Sequence, residues 1–477
     1  MMSFTSFQFI IFFTVVYVLL WGSKWIFQKN ENFTYIYEGI LLVASYVFMA
    51  LADWRFAICL FALTLIIYCS ALNIKKHKIW FAVGIICSIA QLAIFKYLNF
   101  FVDTFSKLLG SSSSTINIIV PLGVSFYTFS GISYLMDVNH GKYEANKNFV
   151  DVALFMSFFP KLTSGPIIRT DRFLKQLDKN HMVSIQNLEI GIQIVLCGFF
   201  KKMVLADHLS IFVDDVFAAP SAFSGATVFL ATIAYSLQIY FDFSGYSDIA
   251  IGLSKMMGYD FDKNFNLPYL SKNPTEFWKR WHISLSSWLQ EYLYYPLGGN
   301  RKGKIRTYIN LFLTMVIGGL WHGANWTFII WGAIHGIALI MHKLFMKWKA
   351  AMFGTKDSCG EIRNILSAIL TFLFVNFCWI FFRAENLSSA MIVIRQIFSS
   401  TPGINQPYTW AFFAFIIAIA ELALACIRKK RNSDKLVQEY LILDLSKTLQ
   451  LAIFFALVGI TIIMAYIGNT AFIYGNF

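Results

Sequence analysis

The sequence predicts an all-α protein that crosses a membrane many times, and three observations carry that prediction. Hydrophobic residues fill 57% of the 477 positions and charged residues only 14%, against roughly 25% charged in an average soluble domain. Mean hydropathy is +0.60. Charge-free stretches approaching the ~20 residues a bilayer requires recur from end to end, so 1–477 reads as one integral membrane domain rather than a string of soluble ones.

The net charge of +13 does not point to nucleic acid. The 39 Lys and Arg fall in short clusters between apolar runs, as in cytoplasmic loops, so the charge encodes topology and no nucleic-acid partner is expected. Membrane lipids are the expected surroundings.

The candidate spans, in order, are 4–23, 39–52, 56–74, 79–95, 108–136, 216–241, 307–342, 364–382, 396–420 and 448–477, with shorter candidates at 152–160 and 190–200. The stretch 307–342 is too long for one helix, and Gly318, Gly319, Gly323 and Asn325 interrupt it. Two spans meeting near His322 are therefore predicted, for about 11–13 transmembrane or re-entrant helices. Residues 4–23 follow no basic residue and precede no small-x-small cleavage site, so the first helix is expected to be retained. Lys24 and Lys29 behind it argue for an outside N-terminus, with most later basic clusters cytoplasmic. The serine run in 110–115 and the polar stretch 355–361 read as loops, and no internal repeat is visible. The seven cysteines form no C-x-x-C pair and read as small core residues.

One segment does not read as a span. Between Glu276 and Tyr292, residues Trp278, Trp281, His282, Leu285, Leu289 and Tyr292 recur at three- and four-residue spacing, with Lys279, Arg280 and Glu291 opposite. This predicts one amphipathic helix along the interface, opened by Pro274 and closed by Pro296, Gly298 and Gly299.

Ionisable groups at membrane depth are costly and mark candidate function. His322 stands at the glycine break of the long stretch, and a ring with an ordinary pKa near 6.5 can accept and return a proton. His335 follows in Trp331-Gly332-Ala333-Ile334-His335-Gly336, whose G-x-x-x-G spacing admits another helix. The two histidines fall on different faces of a continuous helix, so sharing a site requires the bend. His282 comes from the amphipathic segment. Asp242 and Asp248, six residues apart, can bind a cation, orient a histidine or, for Ser247 and Asp248, cap a helix from Ile249. Lys161 and Arg169, in a Pro- and Gly-broken segment, face an anionic lipid or coenzyme phosphate, or snorkel as anchors. Lys201, Lys202, Arg301 and Lys302 are equally topological charges or further phosphate-binding candidates. No metal-site spacing, nucleophile elbow or Walker loop occurs.

The run Asn273-Pro274-Thr275-Glu276-Phe277-Trp278-Lys279-Arg280-Trp281-His282, then Tyr294-Tyr295-Pro296-Leu297-Gly298-Gly299-Asn300-Arg301, then Gly319-Leu320-Trp321-His322-Gly323-Ala324-Asn325-Trp326, resembles the membrane-bound O-acyltransferase family. Segments 240–248, 158–169, 121–126, 44–48 and 379–384 share the likeness, and the match is to the family's bacterial alginate O-acetyltransferase branch. The resemblance implies a multi-helix fold enclosing a funnel, with a catalytic core at 120–390 and flanking helices at 1–119 and 391–477. It implies acetyl transfer from a cytoplasmic thioester, acetyl-CoA or another acyl carrier, to an exported polysaccharide in a bacterial inner membrane, without a bound cofactor.

On that likeness the family's invariant histidine matches His322, and its second polar position matches His282. His335, Trp278, Trp281, Trp321, Asp242 and Asn325 take supporting roles, and Lys161, Arg169, Arg280 and Arg301 are donor-binding candidates. A separate extracytoplasmic acetyltransferase of the SGNH-hydrolase type is the implied partner. Two alternatives stand beside this reading. The related branch D-alanylates teichoic acid from a carrier protein, and a transporter or glycan flippase would use the histidines and Asp242 as a proton relay.

Overall fold

The computed structural model describes residues 2–30, 32–110, 116, 118–163, 165–177, 182–353, 360–399, 402–430, 446–466 and 473, with side chains throughout except at 421–430. Every named secondary-structure element in the described residues is helical; one isolated bridge joins Phe223 to Ile404. The chain divides into two compact units, residues 1–197 with 246–262 and residues 198–245 with 263–477.

The first unit opens with α1 (Phe7–Phe27), capped by the Ser6 hydroxyl, then α2 (Phe33–Ala52) and α3 (Trp54–Asn73), capped by Asp53. The helix α4 (Ile79–Leu92) passes through a π turn at Ala93–Tyr97 into α5 (Leu98–Leu108). Then come α6 (Val124–Asn139), α7 (Phe149–Ser157), the single turn α8 (Phe159–Leu162), α9 (Thr170–Leu177) and α10 (Ile185–Phe199), whose last residues belong to the second unit. Phenylalanine is the filler here. Phe4, Phe9, Phe48 and Phe159 pack edge and face within 6.3 Å, and Phe158 and Phe173 close on Tyr259.

The predicted span at 108–136 is not one helix. Pro121 lacks an N–H, and Gly123 sits at φ +69 with its Cα against the Leu162 carbonyl, where a Cβ would come within 2.2 Å of oxygen; α6 starts only after it. The serine run at 111–115 and residues 354–359 lie outside the described residues, as does Cys359. Of the five cysteines whose side chains are described, Cys378 is buried while Cys59, Cys69, Cys87 and Cys197 are half-buried, so among these the core-residue expectation holds fully only for Cys378.

The second unit contains α11 (Asp207–Ala218), α12 (Gly225–Met256, to Gly245 in this unit), α13 (Pro274–Arg280), α14 (Ile283–Leu289), α15 (Lys304–His322), α16 (Trp326–Phe353), α17 (Glu361–Arg383), α18 (Leu387–Phe398), α19 (Thr409–Lys430) and α20 (Lys447–Met464). The break predicted near His322 is present. The predicted span at 396–420 is two helices, because Pro402, Gly403 and Pro407 separate α18 from α19. No helix begins at Ser247 and Asp248, since α12 runs straight through them.

By length and composition, eight helices among the described residues can cross a membrane: α1, α2, α3, the α4–α5 run, α12, α16, α17 and α20. Helices α15 and α16 pack backbone to backbone. A Cβ at Gly319 would lie 2.3 Å from the Phe328 carbonyl oxygen, and one at Gly332 2.4 Å from that of Met315. The G-x-x-x-G spacing thus admits α15.

Asp242 is committed elsewhere than to a histidine. The Lys202 ammonium, on a π turn at Phe200–Ala206, lies 2.6 Å from both Asp207 and Asp242, all three buried, and Asp242 also accepts the Ile473 N–H. This removes Lys202 from the donor-phosphate candidates. Lys202→Met is expected to lower stability by about 3–5 kcal/mol, because two buried carboxylates lose the charge that neutralises them. Asp242→Asn retains the Lys202–Asp207 pair and is expected to cost clearly less. Thermal unfolding in detergent reads the difference, and the reverse order would show that Lys202 does not organise the cluster.

Candidate active site

The segment around His282 begins with Asn273, whose side chain accepts the Glu276 N–H and caps α13. The single amphipathic helix expected over 276–292 is broken after Arg280. Asn264 and Asn266, in the loop before α13, capture its backbone: Asn266 N–H donates to the Arg280 carbonyl, and Ile283 N–H donates to that of Asn264. Trp281 is extended, His282 is left-handed at φ +43, and α14 starts anew at Ile283.

The Asn264 side-chain oxygen accepts from Ser284 N–H at 3.2 Å, Ser284 O–H at 2.9 Å and His282 Nδ1 at 3.1 Å. An oxygen can only accept, so His282 carries its proton on Nδ1 and leaves Nε2 as a hydrogen-bond acceptor. Burial pulls the His282 pKa down to about 3, which keeps the ring neutral at physiological pH. Phe243 meets it edge-on at 4.6 Å.

His322 is the last residue of α15. Gly323 then extends the backbone, and Asn325 fixes the turn by accepting the Thr327 N–H at 3.0 Å and donating to the Glu385 carbonyl at 2.7 Å. Asn325 therefore holds the helix break that places His322. The imidazole stands edge-to-face against Trp331 at 5.2 Å, Phe382 at 5.2 Å and Trp321 at 5.0 Å.

The rings continue in both directions. Trp321 lies 6.2 Å from His282, Trp331 lies 5.0 Å from His335, and His335 lies 5.1 Å from Trp278. Three histidines thus share one aromatic box, each reached from the next across a single indole. Both ring nitrogens of His335 and the indole nitrogens of Trp278 and Trp331 are buried without a hydrogen-bond partner among the described residues. A buried polar group left unpaired costs about 1–3 kcal/mol. Four in one box make an interior suited to a polar guest within apolar walls.

The remaining candidates fall outside the box. Trp281 packs on Trp379 and Phe265 beneath it. Arg280 pairs with Glu276 at 2.8 Å and donates to the Asn266 carbonyl, so it braces α13. Arg301 is exposed on the turn before α15. Lys161 and Arg169 belong to the first unit, where Lys161 is buried rather than snorkelling. Sequence reasoning missed Asn264, since a loop amide eighteen residues before His282 has no periodic signal, and missed Trp331 and Phe382, which read as ordinary span residues.

Residues 146–384 match the membrane-bound O-acyltransferase family, MBOAT. The chain belongs to that family. Every histidine of the box lies within the matched segment. The probable alginate O-acetylase AlgI of Pseudomonas aeruginosa is 41% identical over 372 residues, covering 76% of this chain and 69% of that one. A peptidoglycan O-acetyltransferase of Helicobacter pylori is 37% identical over 405 residues, covering 77% and 74%. A teichoic acid D-alanyltransferase of Bacillus subtilis is 30% identical over 278 residues, covering 56% and 70%. This MBOAT protein is therefore a multi-pass membrane acyltransferase.

Proposed function

We propose that the chain takes acetyl from a thioester on the cytoplasmic face of a bacterial inner membrane and delivers it for O-acetylation of an exported polysaccharide. The observation that carries this reading is His322 at a helix break, inside a buried aromatic box with hydrogen-bonding groups that the fold does not use. The similarity to two O-acetylating relatives over about three quarters of the chain supports acetyl as the group moved.

The chemistry follows from the residues. His322 takes the proton of the acceptor hydroxyl as its oxygen adds to the thioester carbonyl. The tetrahedral adduct then expels the thiolate, and the imidazolium returns the proton to that sulfur. The indole N–H groups of Trp278 and Trp331 stabilise charge on the carbonyl oxygen in a site from which water is excluded. His282, neutral and fixed by Asn264, offers Nε2 as an acceptor to a second donor group of the bound acceptor. Acetyl-CoA or another acyl carrier is the donor, and a separate extracytoplasmic acetyltransferase receives the group.

Inverted vesicles containing the purified chain, given acetyl-labelled CoA thioester outside and an acceptor inside, test this. CoA release with label on the enclosed acceptor is the expected result. Transfer only from a D-alanyl carrier protein would favour the reading suggested by the teichoic acid relative. Movement of glycan without acyl transfer would overturn both.

A further inference from the structure

Of the three histidines in the box, His335 is the one with no part in the proton transfer, and it is fully buried. Helix α16 turns its glycine face to α15, where a Cβ at Gly332 or Gly336 would crowd Met315 and Phe312. Trp331 and His335, four residues apart, share another face, toward α13 and α17. Phe277 lies parallel to the His335 ring at 6.2 Å, and Phe374 stands across it at 5.5 Å. Nothing in such a cage calls for a polar ring, since leucine or phenylalanine would fill it without leaving nitrogens unpaired.

The polar neighbours set this position apart. The rings of Trp278, Trp331 and His335 form a triangle with sides of 5.0, 5.1 and 5.7 Å, each ring edge-on to the next. Four ring nitrogens gather there, none with a hydrogen-bond partner among the described residues. A neutral imidazole and two indoles supply three N–H donors. Donors fixed in a dry site suit charge that develops only during reaction. Trp331 is also the ring against His322, at 5.2 Å, so the triangle adjoins the base.

We infer that His335 is a third donor to the oxygen of the transferred acyl group, adding its N–H to those of Trp278 and Trp331. As the acceptor oxygen bonds to the carbonyl carbon, the C=O π pair moves onto the carbonyl oxygen, where the three N–H groups hold it. The pair returns as the C–S bond breaks. His335 gives up no proton, because the hydroxyl proton passes to His322 and then to sulfur. The assignment rests on the acyl-transfer reading. Because the unpaired nitrogens cost the fold stability, removing them moves stability and activity in opposite directions.

Full-length wild type, His335→Leu, His335→Phe and His335→Gln, compared in vesicles with acetyl-labelled CoA and by thermal unfolding in detergent, test this. His335→Leu is expected to lower kcat by about 10²-fold, the effect of removing one such donor. KM for the thioester is expected to stay within about threefold of wild type, because the bond strengthens only in the transition state. The same variant is expected to melt at or above the wild-type midpoint. His335→Gln, which returns an amide N–H, is expected to regain at least about tenfold of the loss. His335→Phe covers the case in which leucine packs poorly. Wild-type kcat in His335→Leu or His335→Phe, or a rise in KM alone, overturns the inference. So does a lower midpoint or loss of folded protein in both, which would show that the fold, or a water bound within it, uses these nitrogens. No CoA release by wild type would count against the acyl-transfer reading instead, and the melts, which need no substrate, would still decide whether His335 serves the fold.

Discussion

His322→Ala is expected to lower acyl transfer by about 10²–10⁴-fold, the range general-base removal produces, while the protein still accumulates in the membrane. The imidazole stands among Trp321, Trp331 and Phe382, so its loss leaves a hole in the box but leaves the α15–α16 turn to Asn325. His322→Gln keeps polar volume without a titratable ring and is expected to be equally inactive, which separates the base from the space it fills. Vesicle transfer of labelled acetyl, with a thermal melt as the folding check, measures both. Wild-type turnover in either variant would remove His322 from catalysis.

The second large effect is structural. Gly332→Val is expected to abolish folded protein, because its Cβ would lie 2.4 Å from the Met315 carbonyl oxygen and 3.1 Å from both the Met315 carbonyl carbon and the Val316 Cα, with branched methyls beyond. Only a separation of α15 from α16 relieves that overlap. Trp321 and His322 stand on one of these helices and Trp331 and His335 on the other, so the separation also breaks the ring contacts of the box. Size-exclusion of solubilised membranes reads the result. Gly22→Ala, where a Cβ would meet nothing within 4 Å, is the matched control and is expected to elute as wild type. A monodisperse Gly332→Val would mean that the helices tolerate a wider spacing.

What the sequence disclosed divides along physical lines. Long apolar runs and glycine breaks are local, and they placed the membrane helices and the turn at His322. The residue types of the box were also legible, since His322 and His335 stand out in apolar spans and His282 and Trp278 on the amphipathic segment. Their partners were not. Asn264 acts through a tertiary contact that overrides helical periodicity at Arg280, and a pattern of apolar spacing cannot register a backbone captured by a distant loop. The fates of Asp242 and Lys161 were equally hidden, because which charges meet inside a fold depends on packing rather than on neighbours in sequence. Pro121 and Gly123 were visible breakers, but the uncharged run around them outweighed them in the reading.

The left-handed backbone at His282 bears on how this position can change. A residue with a Cβ holds that conformation at a cost of about 1–2 kcal/mol, least for Asn and Asp and most for β-branched side chains, while glycine, with no Cβ, avoids it. The site therefore filters substitutions by backbone shape before chemistry is reached. Asparagine at 282 keeps the kink and a short polar group, whereas valine or isoleucine strains the chain at the point where α13 gives way to α14. Exchange at this position is channelled toward small amides and glycine, so a variant library randomised there should return its folded members from that narrow set, whatever their activity.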